Sequence, residues 1–470
     1  MARRGLWAAA FALATACAAD AHAGGLYFSD RGVRPMGRAG AFVAGADDLG
    51  ALWYNPAGLA DAKTSLLADF AILRFSSQFT RTLRVVDADD TVRYVGSPAV
   101  NGTSPFVPFP TLAASYAFGR EKEWTIAGAA FAPYPAIATY PATIDGLPSP
   151  ARYALGSFDG SALIFLGGFL SYKPIEQLRF GIGLGAVVGQ FQSEVTFTVS
   201  PPDRLVANAE QPEYDAATRF RVGPIFAPTG NLGATWIPMK ELRFGTSFQL
   251  PIVISSGATF DVRLPTAAIF DGARVTGRDA NVKFKLPGIF RIGAEVRPID
   301  ELRIEAAYVR ELWSIHESID LVPEGVAIEG ISGLPRRVPL PPIKFPRNFQ
   351  DSSSFRLGAE YGFSLWDYPM RLRTGISYET SAIPRDYLSI LTIDMDKITT
   401  SLGYSISFGQ HWRLDAVYAH LFASSVNVSP DEAKIPRVNP LPGNAQLEAV
   451  NGGQYSASAD LIGVGAVYTF

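Results

Sequence analysis

Two side chains with the chemistry of a hydrolase lie close together in the sequence. His316 and Ser318 are separated by one residue, so on a β-strand both would face the same side, as a base and its nucleophile must. A working dyad also needs a polar partner that orients the histidine and hydrogen-bond donors for an oxyanion. The sequence indicates neither the polar partner nor the oxyanion donors. We therefore interpret the pair as chance proximity and predict that the chain is not an enzyme.

Metal and cofactor chemistry is not indicated either. No two of the four histidines have the spacing of metal ligands on a shared element, and the glycine-rich stretches 181–189 and 223–233 do not open a helix with phosphate-loop spacing. We interpret these glycines as strand residues and predict no metal and no cofactor. The formal net charge of −3 gives no indication of nucleic acid as a partner. The histidines are His22, His316, His411 and His420.

The N-terminus has the three parts of a secretory signal. Arg3 and Arg4 form a basic start, residues 5–19 are mostly apolar, and Ala21-His22-Ala23 is a small-x-small cleavage site. We predict that residues 1–23 are removed and that the mature chain begins at Gly24.

Cys17, the single cysteine, admits a second interpretation. Residues 14–17 could form a lipoprotein cleavage site with Cys17 acylated. Ala14, three residues before the cysteine, is smaller than the aliphatic residue expected there, which favours ordinary signal cleavage.

Strands rather than helices are indicated for the mature chain. No segment after residue 23 has the ~18 uninterrupted apolar residues that a membrane-spanning helix needs. Several segments instead alternate apolar and polar residues, which places one set on each face of a strand, as in a barrel in lipid. The apolar faces are Leu178, Phe180, Ile182, Leu184, Ala186 and Val188; Phe284, Leu286, Phe290, Ile292, Ala294 and Val296; and Leu372, Ile376 and Tyr378. The opposite faces carry Arg179, Gly181, Gly183 and Gly185; Lys283, Lys285, Arg291 and Glu295; and Arg371, Arg373 and Glu379.

Turns of two lengths separate these strands. Three of the short turns have nearly the same sequence. In each, a proline ends the incoming strand and a charged pair forms the turn. With a first and a last strand, the count is about fourteen, an even number as in single-chain bacterial barrels. The short turns are predicted at 172–181, 236–245, 296–305, 119–123, 365–369 and 409–411, and the terminal strands near 64–84 and 454–470. Long external connections are predicted near 85–110, 134–161, 200–219, 255–281, 317–352, 385–396 and 426–453.

Closure and a plug follow from physical chemistry. In hydrocarbon every backbone polar group must pair internally, and only a closed sheet lets strands do so. About fourteen strands enclose a lumen too wide for their own side chains, since about eight strands are the filled limit. We therefore predict an all-β transmembrane antiparallel barrel formed by residues 64–470, with residues 24–63 as an N-terminal hatch in its lumen.

Three motifs in residues 24–63 resemble the hatch of the FadL/TodX family of outer-membrane transport proteins. They are Gly-Arg-Ala-Gly from Gly37 to Gly40, Ala-Asp-Asp from Ala46 to Asp48, and Asn-Pro-Ala from Asn55 to Ala57. The alternating last strand and its terminal Phe470 are similar to the closing strand of outer-membrane barrels. The hatch motifs are specific, whereas the resemblance of the barrel is one of pattern.

The resemblance implies roles for hatch residues. Leu26, Tyr27 and Phe28 would line a deep ligand pocket, or would only pack the hatch against the wall. The motifs would form and gate the hatch, although a purely structural turn at Asn55-Pro56-Ala57 is an equal alternative. The gating residues implied are Gly37, Arg38, Asp47, Asp48, Asn55, Pro56 and Ala57.

The barrel would carry three further functional features. Pro133, Tyr134 and Pro135 follow a third strand that runs from Trp124 to about Ala132, and because proline cannot donate to the ladder, a break and a lateral exit are expected there. Arg152 would pair with a carboxylate headgroup, or would be an ordinary loop arginine. Tyr468 and Phe470 would be the signal read by the barrel-assembly machinery.

The function implied is passive uptake of long-chain fatty acids or similar hydrophobic compounds across the bacterial outer membrane, with a lateral opening into the bilayer. The alternatives are an aromatic hydrocarbon channel of the same fold, a general porin, which has no use for a hatch, and an outer-membrane lipase that uses His316 and Ser318. The partners expected are a hydrophobic small molecule, outer-membrane lipids and the barrel-assembly machinery. We expect a monomer.

Overall fold

A closed antiparallel sheet dominates the computed structural model, which describes residues 30–87, 89–104, 108–132, 139–154, 161–200, 210–441 and 448–470. The sheet contains 20 strand segments. Six strands consist of two segments each, so the described residues form fourteen barrel strands.

The barrel strands, numbered in chain order, are β1 (Ser65–Val86), β2 (Val92–Thr103 and Pro108–Phe118), β3 (Trp124–Phe131), β4 (Ala162–Ile175), β5 (Leu178–Thr198), β6 (Asp215–Met239), β7 (Leu242–Gln249 and Ile252–Arg263), β8 (Asp279–Leu286 and Ile289–Ile299), β9 (Leu302–Glu311 and Ser318–Glu324), β10 (Ile343–Pro346 and Ser352–Leu365), β11 (Tyr368–Glu379), β12 (Lys397–Phe408), β13 (Trp412–Ala423 and Val426–Val428) and β14 (Gly453–Thr469).

Each strand pairs with its neighbours in sequence, and β14 closes the sheet on β1. That last pairing runs without a shift from Ser65 opposite Thr469 to Arg81 opposite Gly453. All six short turns lie where the sequence predicts them, between β2 and β3, β4 and β5, β6 and β7, β8 and β9, β10 and β11, and β12 and β13. The predicted fold class, an all-β barrel of about fourteen strands, is confirmed.

Several strands extend further on the external side than the sequence predicts. The connection expected near 85–110 is largely strand, because Val92–Thr103 pairs with β1 from Val86 opposite Val92 onward. Most of that segment is exposed to solvent. Polar alternation gives no signal where neither face of a strand is buried, which explains why the pattern there favoured a loop.

The predicted faces are correct in β5 and partly wrong in β8. Phe180, Ile182 and Leu184 face outward and are exposed, as expected. In β8 the two halves present opposite faces: Lys283 and Lys285 are exposed, whereas Arg291 and Glu295 are buried. Pro287 and Gly288 separate these halves, and a slip of one residue exchanges the two faces of a strand. The single continuous face predicted for residues 283–296 is therefore wrong.

Short elements accompany the barrel. Residues 30–63, which we call the lumen segment, contain helices α1 (Val33–Met36) and α2 (Ala51–Tyr54) and a 3-10 helix, Pro56–Asp61. Further 3-10 helices within the described ranges are Pro212–Tyr214, Ala268–Phe270, Trp313–Ile315 and Arg385–Tyr387. Small external sheets are formed by Arg274–Thr276, Ala327–Glu329 and Arg337–Pro339, and by Thr143–Ile144 and Leu147–Pro148.

Among the described residues, every helix is too short or too polar to span a bilayer.

A lysine on the outward face tests whether that face lies in lipid. Leu402, 54% exposed, lies in the middle of β12. Leu402→Lys should lower the free energy of unfolding in lipid vesicles by about 2–4 kcal/mol, the cost of a lysine near the bilayer midplane. Urea titration of the reconstituted protein measures the change. Trp366→Lys, in the turn between β10 and β11 and 80% exposed, is the control and should cost at most about 1 kcal/mol. Equal losses in the two variants would contradict a lipid-facing surface.

Candidate functional site

The lumen segment lies inside the barrel. Among the described residues, its polar groups form hydrogen bonds with eleven of the fourteen strands around the circle, which is possible only from within the sheet. Its wall partners include Asp69, Ser115, Ser171, Arg179, Asn231, Thr235, Ser247, Glu295, Glu305, Arg356, Glu360, Ser401 and Arg413.

One buried ion cluster joins this segment to β8 and β9. Arg38 is fully buried, and its Nη2 lies 3.2 Å from a carboxylate oxygen of both Glu295 and Glu305. Glu305 also accepts hydrogen bonds of 2.6 to 2.9 Å from three consecutive backbone N–H groups, at residues 43–45. The carboxylate of Glu305 therefore fixes both the side chain and the backbone of the segment.

A second cluster joins the segment to β9, β10 and β13. Arg34 lies 2.5 Å from Asp47 and 2.8 Å from Asp48, and it also reaches Glu360 at 3.3 Å. From the wall, Arg303 pairs with Asp47 at 2.8 Å. The two adjacent aspartates thus share cations from the segment and from the barrel.

These arginines keep the two aspartates ionised despite their burial. Burial raises the pKa of the Asp47 carboxyl, but the guanidinium groups of Arg303 and Arg34 outweigh it, so that this pKa lies well below its ordinary value. For Asp48, Arg34 and Arg413 overcome the effect of burial and lower the pKa to about 2.

Asn55 holds the turn into the 3-10 helix. Its amide nitrogen donates to the carbonyl of Val43 at 2.9 Å and to the hydroxyl of Thr235 at 3.0 Å. Its amide oxygen accepts from the backbone N–H of Ala57 at 3.1 Å, and Pro56 is the first residue of the helix. The side chain thus caps the backbone and ties it to β6.

Glycines let the segment approach the wall closely. A Cβ added at Gly181 of β5 would overlap the backbone of Pro56, and one added at Gly375 of β11 would overlap the backbone of Arg38. Gly37 lies against Gly403 of β12 in the same way. The glycines of the inward strand faces therefore make room for the segment.

An apolar pocket lies among the external parts of β5, β6 and β7 and the three-stranded external sheet. It is partly open to solvent. Nearly all of its lining is apolar, which suits a hydrocarbon chain or ring. The lining residues are Phe197, Val199, Ala216, Thr218, Phe260, Val262, Val275, Ile328, Leu340, Ile343 and Pro440.

A second cavity lies deeper and borders the lumen segment. Trp53 of α2 forms one wall and contacts Phe131 edge to face, with ring centroids 5.7 Å apart. Phe131 is the last residue of β3 and stacks on Phe165 of β4. The cavity is therefore adjacent to the end of the third strand.

The pocket and the deeper cavity belong to one continuous cluster of buried apolar side chains. Val187, Ile225 and Ile254 are members that lie along the chain between the lining residues of the two spaces. The region between the external pocket and Trp53 is therefore packed with apolar side chains.

An arginine of the lumen segment contacts the end of β3. The Nε of Arg31 donates to the carbonyl of Ala132 at 2.7 Å, and its guanidinium lies 5.6 Å from the ring of Trp53. Arg31 therefore links the segment to the strand at the position where the sequence predicts a lateral exit.

Some predicted residues lie outside the described ranges. These are the signal peptide with Cys17, the pocket residues Leu26, Tyr27 and Phe28, and the kink residues Pro133, Tyr134 and Pro135. Their roles stay predictions.

The other predicted residues have defined surroundings. Arg152 pairs with Asp215 at 2.7 Å, with its guanidinium 4.2 Å from the ring of Tyr153, so its charge has a partner within the chain. The ring of Tyr468 contacts that of Phe470, which is largely exposed at the chain end.

The structure gives His316 and Ser318 separate partners. The Nδ1 of His316 lies 2.6 Å from the carbonyl of Lys285, and the hydroxyl of Ser318 donates to Asp320 at 2.7 Å. These contacts agree with the interpretation of the pair as chance proximity.

The wall residues Glu305, Glu360 and Arg303 lie outside the sequence motifs that indicated the hatch. Arg38 and Glu295 are separated by 257 positions, and no local pattern can pair residues so far apart. A weaker signal in the sequence is a charged residue at an inward position of a strand. The period-two alternation predicted such positions for Glu295 and Arg373.

Known proteins resemble this chain in sequence profile and in fold. A family profile described as outer membrane protein transport protein (OMPP1/FadL/TodX) matches residues 14–470. No curated protein sequence matches the chain at a significant level.

Solved structures share the fold at low sequence identity. A FadL homologue of Pseudomonas aeruginosa superposes with a TM-score of 0.72 at 15% identity, over 95% of this chain and 100% of that one. The Pseudomonas putida toluene transporter TodX gives 0.60 at 15%, over 94% and 99%. The Ralstonia pickettii toluene transporter TbuX gives 0.58 at 16%, also over 94% and 99%.

Removal of the Glu305 charge should loosen the lumen segment. Glu305→Gln takes away the ion pair with Arg38 and weakens three backbone hydrogen bonds. We expect hydrogen exchange at residues 43–45 to accelerate by about tenfold or more, since charged hydrogen bonds contribute about 1.5–3 kcal/mol. Glu329→Gln, in an external ion pair with Arg274, is the control. Unchanged exchange at residues 43–45 would contradict the anchoring role.

Acid should release the same segment over a defined pH range. Asp48 has a pKa of about 2 in the folded protein, against about 3.9 in an unfolded chain. Its pairing therefore stabilises the segment above about pH 4, and this stabilisation is lost as the pH falls toward about 2. Pepsin cleavage within residues 30–63 should rise across this range and should rise less in Asp48→Asn. Identical pH curves for the two proteins would exclude Asp48 as the titrating anchor.

Proposed function

Because this chain belongs to the OMPP1/FadL/TodX family of outer-membrane transport proteins, we propose that it mediates passive uptake of long-chain fatty acids or similar hydrophobic compounds. The family places the chain in the bacterial outer membrane and assigns it to the transport of hydrophobic small molecules. The route proposed here leads from the external pocket to the deeper cavity and then sideways into the bilayer near the end of β3.

The continuous apolar cluster is the observation that carries this proposal. A hydrocarbon chain gains about 0.8 kcal/mol for each buried CH₂ group wherever it is removed from water. Two apolar spaces joined by apolar side chains therefore let a ligand advance without an energy source, provided that the two spaces bind it comparably.

The lumen segment disfavours a general porin. A porin needs a water-filled lumen, whereas here the segment is hydrogen-bonded to eleven strands and held by two ion clusters. We propose that residues 24–63 are a hatch that blocks polar solutes, that residues 1–23 are removed as a signal peptide, and that residues 64–470 form the barrel.

The lateral exit is supported by the extent of β3. Its pairing with β2 ends at Phe131 opposite Thr111, and its pairing with β4 ends at Phe131 opposite Phe165. Beyond that point the hydrogen bond between Arg31 and Ala132 connects the strand end to the hatch. A movement of the hatch would therefore also move the end of β3 at the proposed exit.

An aromatic hydrocarbon channel is the second candidate. Two of the similar structures are described as toluene transporters, and the rings of Trp53, Phe131 and Phe165 would suit an aromatic ligand. Extraction of the purified protein with organic solvent, followed by mass spectrometry of the co-purified ligand, distinguishes this candidate from a fatty-acid carrier. We further propose a monomer that is assembled by the barrel-assembly machinery and surrounded by outer-membrane lipid.

Uptake by intact cells tests the proposed function. Expression of this chain in bacteria that lack their own long-chain fatty-acid transporter should restore uptake of labelled oleate. Val275→Glu places a charge in the external pocket and should reduce uptake by about tenfold or more, because a buried carboxylate must be desolvated when an apolar chain binds. Arg274→Gln, the exposed neighbour, should leave uptake unchanged.

Two results would contradict the proposal. Uptake that is the same in Val275→Glu and in the unmodified protein would remove the external pocket from the route. Rapid passage of sugars in a liposome-swelling assay of the intact protein would favour a porin instead.

A further inference from the structure

The deeper cavity has a polar edge within its largely apolar lining. Most of the lining consists of leucine, isoleucine and aromatic side chains, but Thr229, Asn231 and Gln249 line it as well. Thr229 and Asn231 are two residues apart on β6, and Gln249 of β7 is paired with Asn231. Residues directly opposite each other in an antiparallel pair share a face of the sheet. The three polar side chains therefore form one cluster at the cavity.

Two of these side chains carry a buried oxygen atom without a donor. Asn231 is 9% and Gln249 is 5% exposed. Within the described part of the chain, neither the Oδ1 of Asn231 nor the Oε1 of Gln249 accepts a hydrogen bond. The orientation of the Asn231 amide is set by its Nδ2, which donates to the carbonyl of Leu52 at 2.9 Å. The atom left unpaired on Asn231 is therefore its acceptor.

Thr229 adds a third acceptor to this edge. Its hydroxyl donates to the carbonyl of Leu250 at 3.0 Å, which uses its only proton and leaves its oxygen able to accept. The described residues that line the cavity include no charged side chain. The polar edge therefore presents unused acceptors to a ligand without a countercharge.

Such an edge favours a ligand that donates a hydrogen bond. A buried oxygen without a donor is unfavourable, because its hydrogen bonds with water are lost and nothing replaces them. A hydroxyl group on a ligand would supply the donor, whereas a bare hydrocarbon would leave the oxygens unpaired. A carboxylate has no proton to donate and would gain nothing from this edge. The rings of Trp53 and Phe131 in the cavity wall suit the apolar part of the ligand.

We infer that the deeper cavity binds neutral apolar molecules that carry a hydroxyl group, such as alcohols and phenols. The hydroxyl donates to the amide oxygen of Asn231 or Gln249, and the hydrocarbon part lies among the aromatic side chains. This inference rests on the proposed function and assigns to the cavity a narrower substrate class than hydrophobic compounds in general.

Equilibrium dialysis of the purified intact protein at about pH 7 tests the inference. The probes are labelled p-cresol and labelled p-xylene, which differ only by a hydroxyl in place of a methyl group, and a phenol keeps its proton at this pH. A wholly apolar cavity would bind p-xylene about tenfold more tightly or better, because p-cresol would lose its hydrogen bonds with water. The unmodified protein should instead bind p-cresol at least as tightly as p-xylene.

Variants of the polar edge locate the hydroxyl group of the probe. Asn231→Leu/Gln249→Met removes both unpaired oxygens, so it should weaken p-cresol binding by about tenfold and leave p-xylene binding unchanged or stronger. Gln249→Met alone keeps the contact between Asn231 and Leu52 and should act in the same direction. Gln350→Met, which changes an exposed glutamine between the two segments of β10, should behave as the unmodified protein.

The outcomes separate this inference from the proposed function. Tighter binding of p-xylene by the unmodified protein, or an equal effect of the double variant on both probes, would overturn the hydroxyl preference. Binding of neither probe would overturn it as well. Uptake of oleate by intact cells then still decides the proposed function, because oleate carries no hydroxyl group. The comparison on the unmodified protein decides the question even if a variant fails to fold.

Discussion

The pairing of backbone polar groups in hydrocarbon is the constraint on which the rest of this structure depends. Strands that cross a bilayer must donate and accept every ladder hydrogen bond within the protein, so the sheet must close. β14 closes it on β1 over seventeen consecutive paired positions. Closure at fourteen strands leaves a lumen that inward side chains cannot fill, and the lumen segment occupies it.

Charge is arranged to hold that segment while the outer face stays apolar. Arg34, Arg38, Asp47 and Asp48 of the segment meet wall residues of opposite sign, where each ion has partners that offset its desolvation. The exposed outward positions of the strands carry leucine, isoleucine, phenylalanine and tyrosine instead. The external apolar pocket and the deeper cavity are lined mostly by apolar side chains, and they are the sites that we propose for a hydrophobic ligand.

Much of the barrel could be predicted from the sequence because its determinants are local. Period-two alternation identifies the strands. The repeated sequence around Pro174, Pro238 and Pro298 identifies three of the short turns. Alternation failed where strands leave the membrane, as at Val92–Thr103, and where Pro287 exchanges the faces of β8. The hatch motifs identified Arg38 and Asn55, but their wall partners lie hundreds of residues away in sequence, and no local pattern reveals such pairings.

The most direct test of the account is the position of the lumen segment in the native membrane. The backbone N–H of Ala39 donates to the hydroxyl of Ser401 on β12, at 2.9 Å, and the only cysteine of the chain is Cys17 in the predicted signal peptide. In cells that express Ala39→Cys/Ser401→Cys, the account predicts an intramolecular disulfide in the outer-membrane fraction that a reductant opens. Two free thiols, with the cysteine at position 39 labelled by a large hydrophilic maleimide, would place the segment outside the barrel and contradict the account.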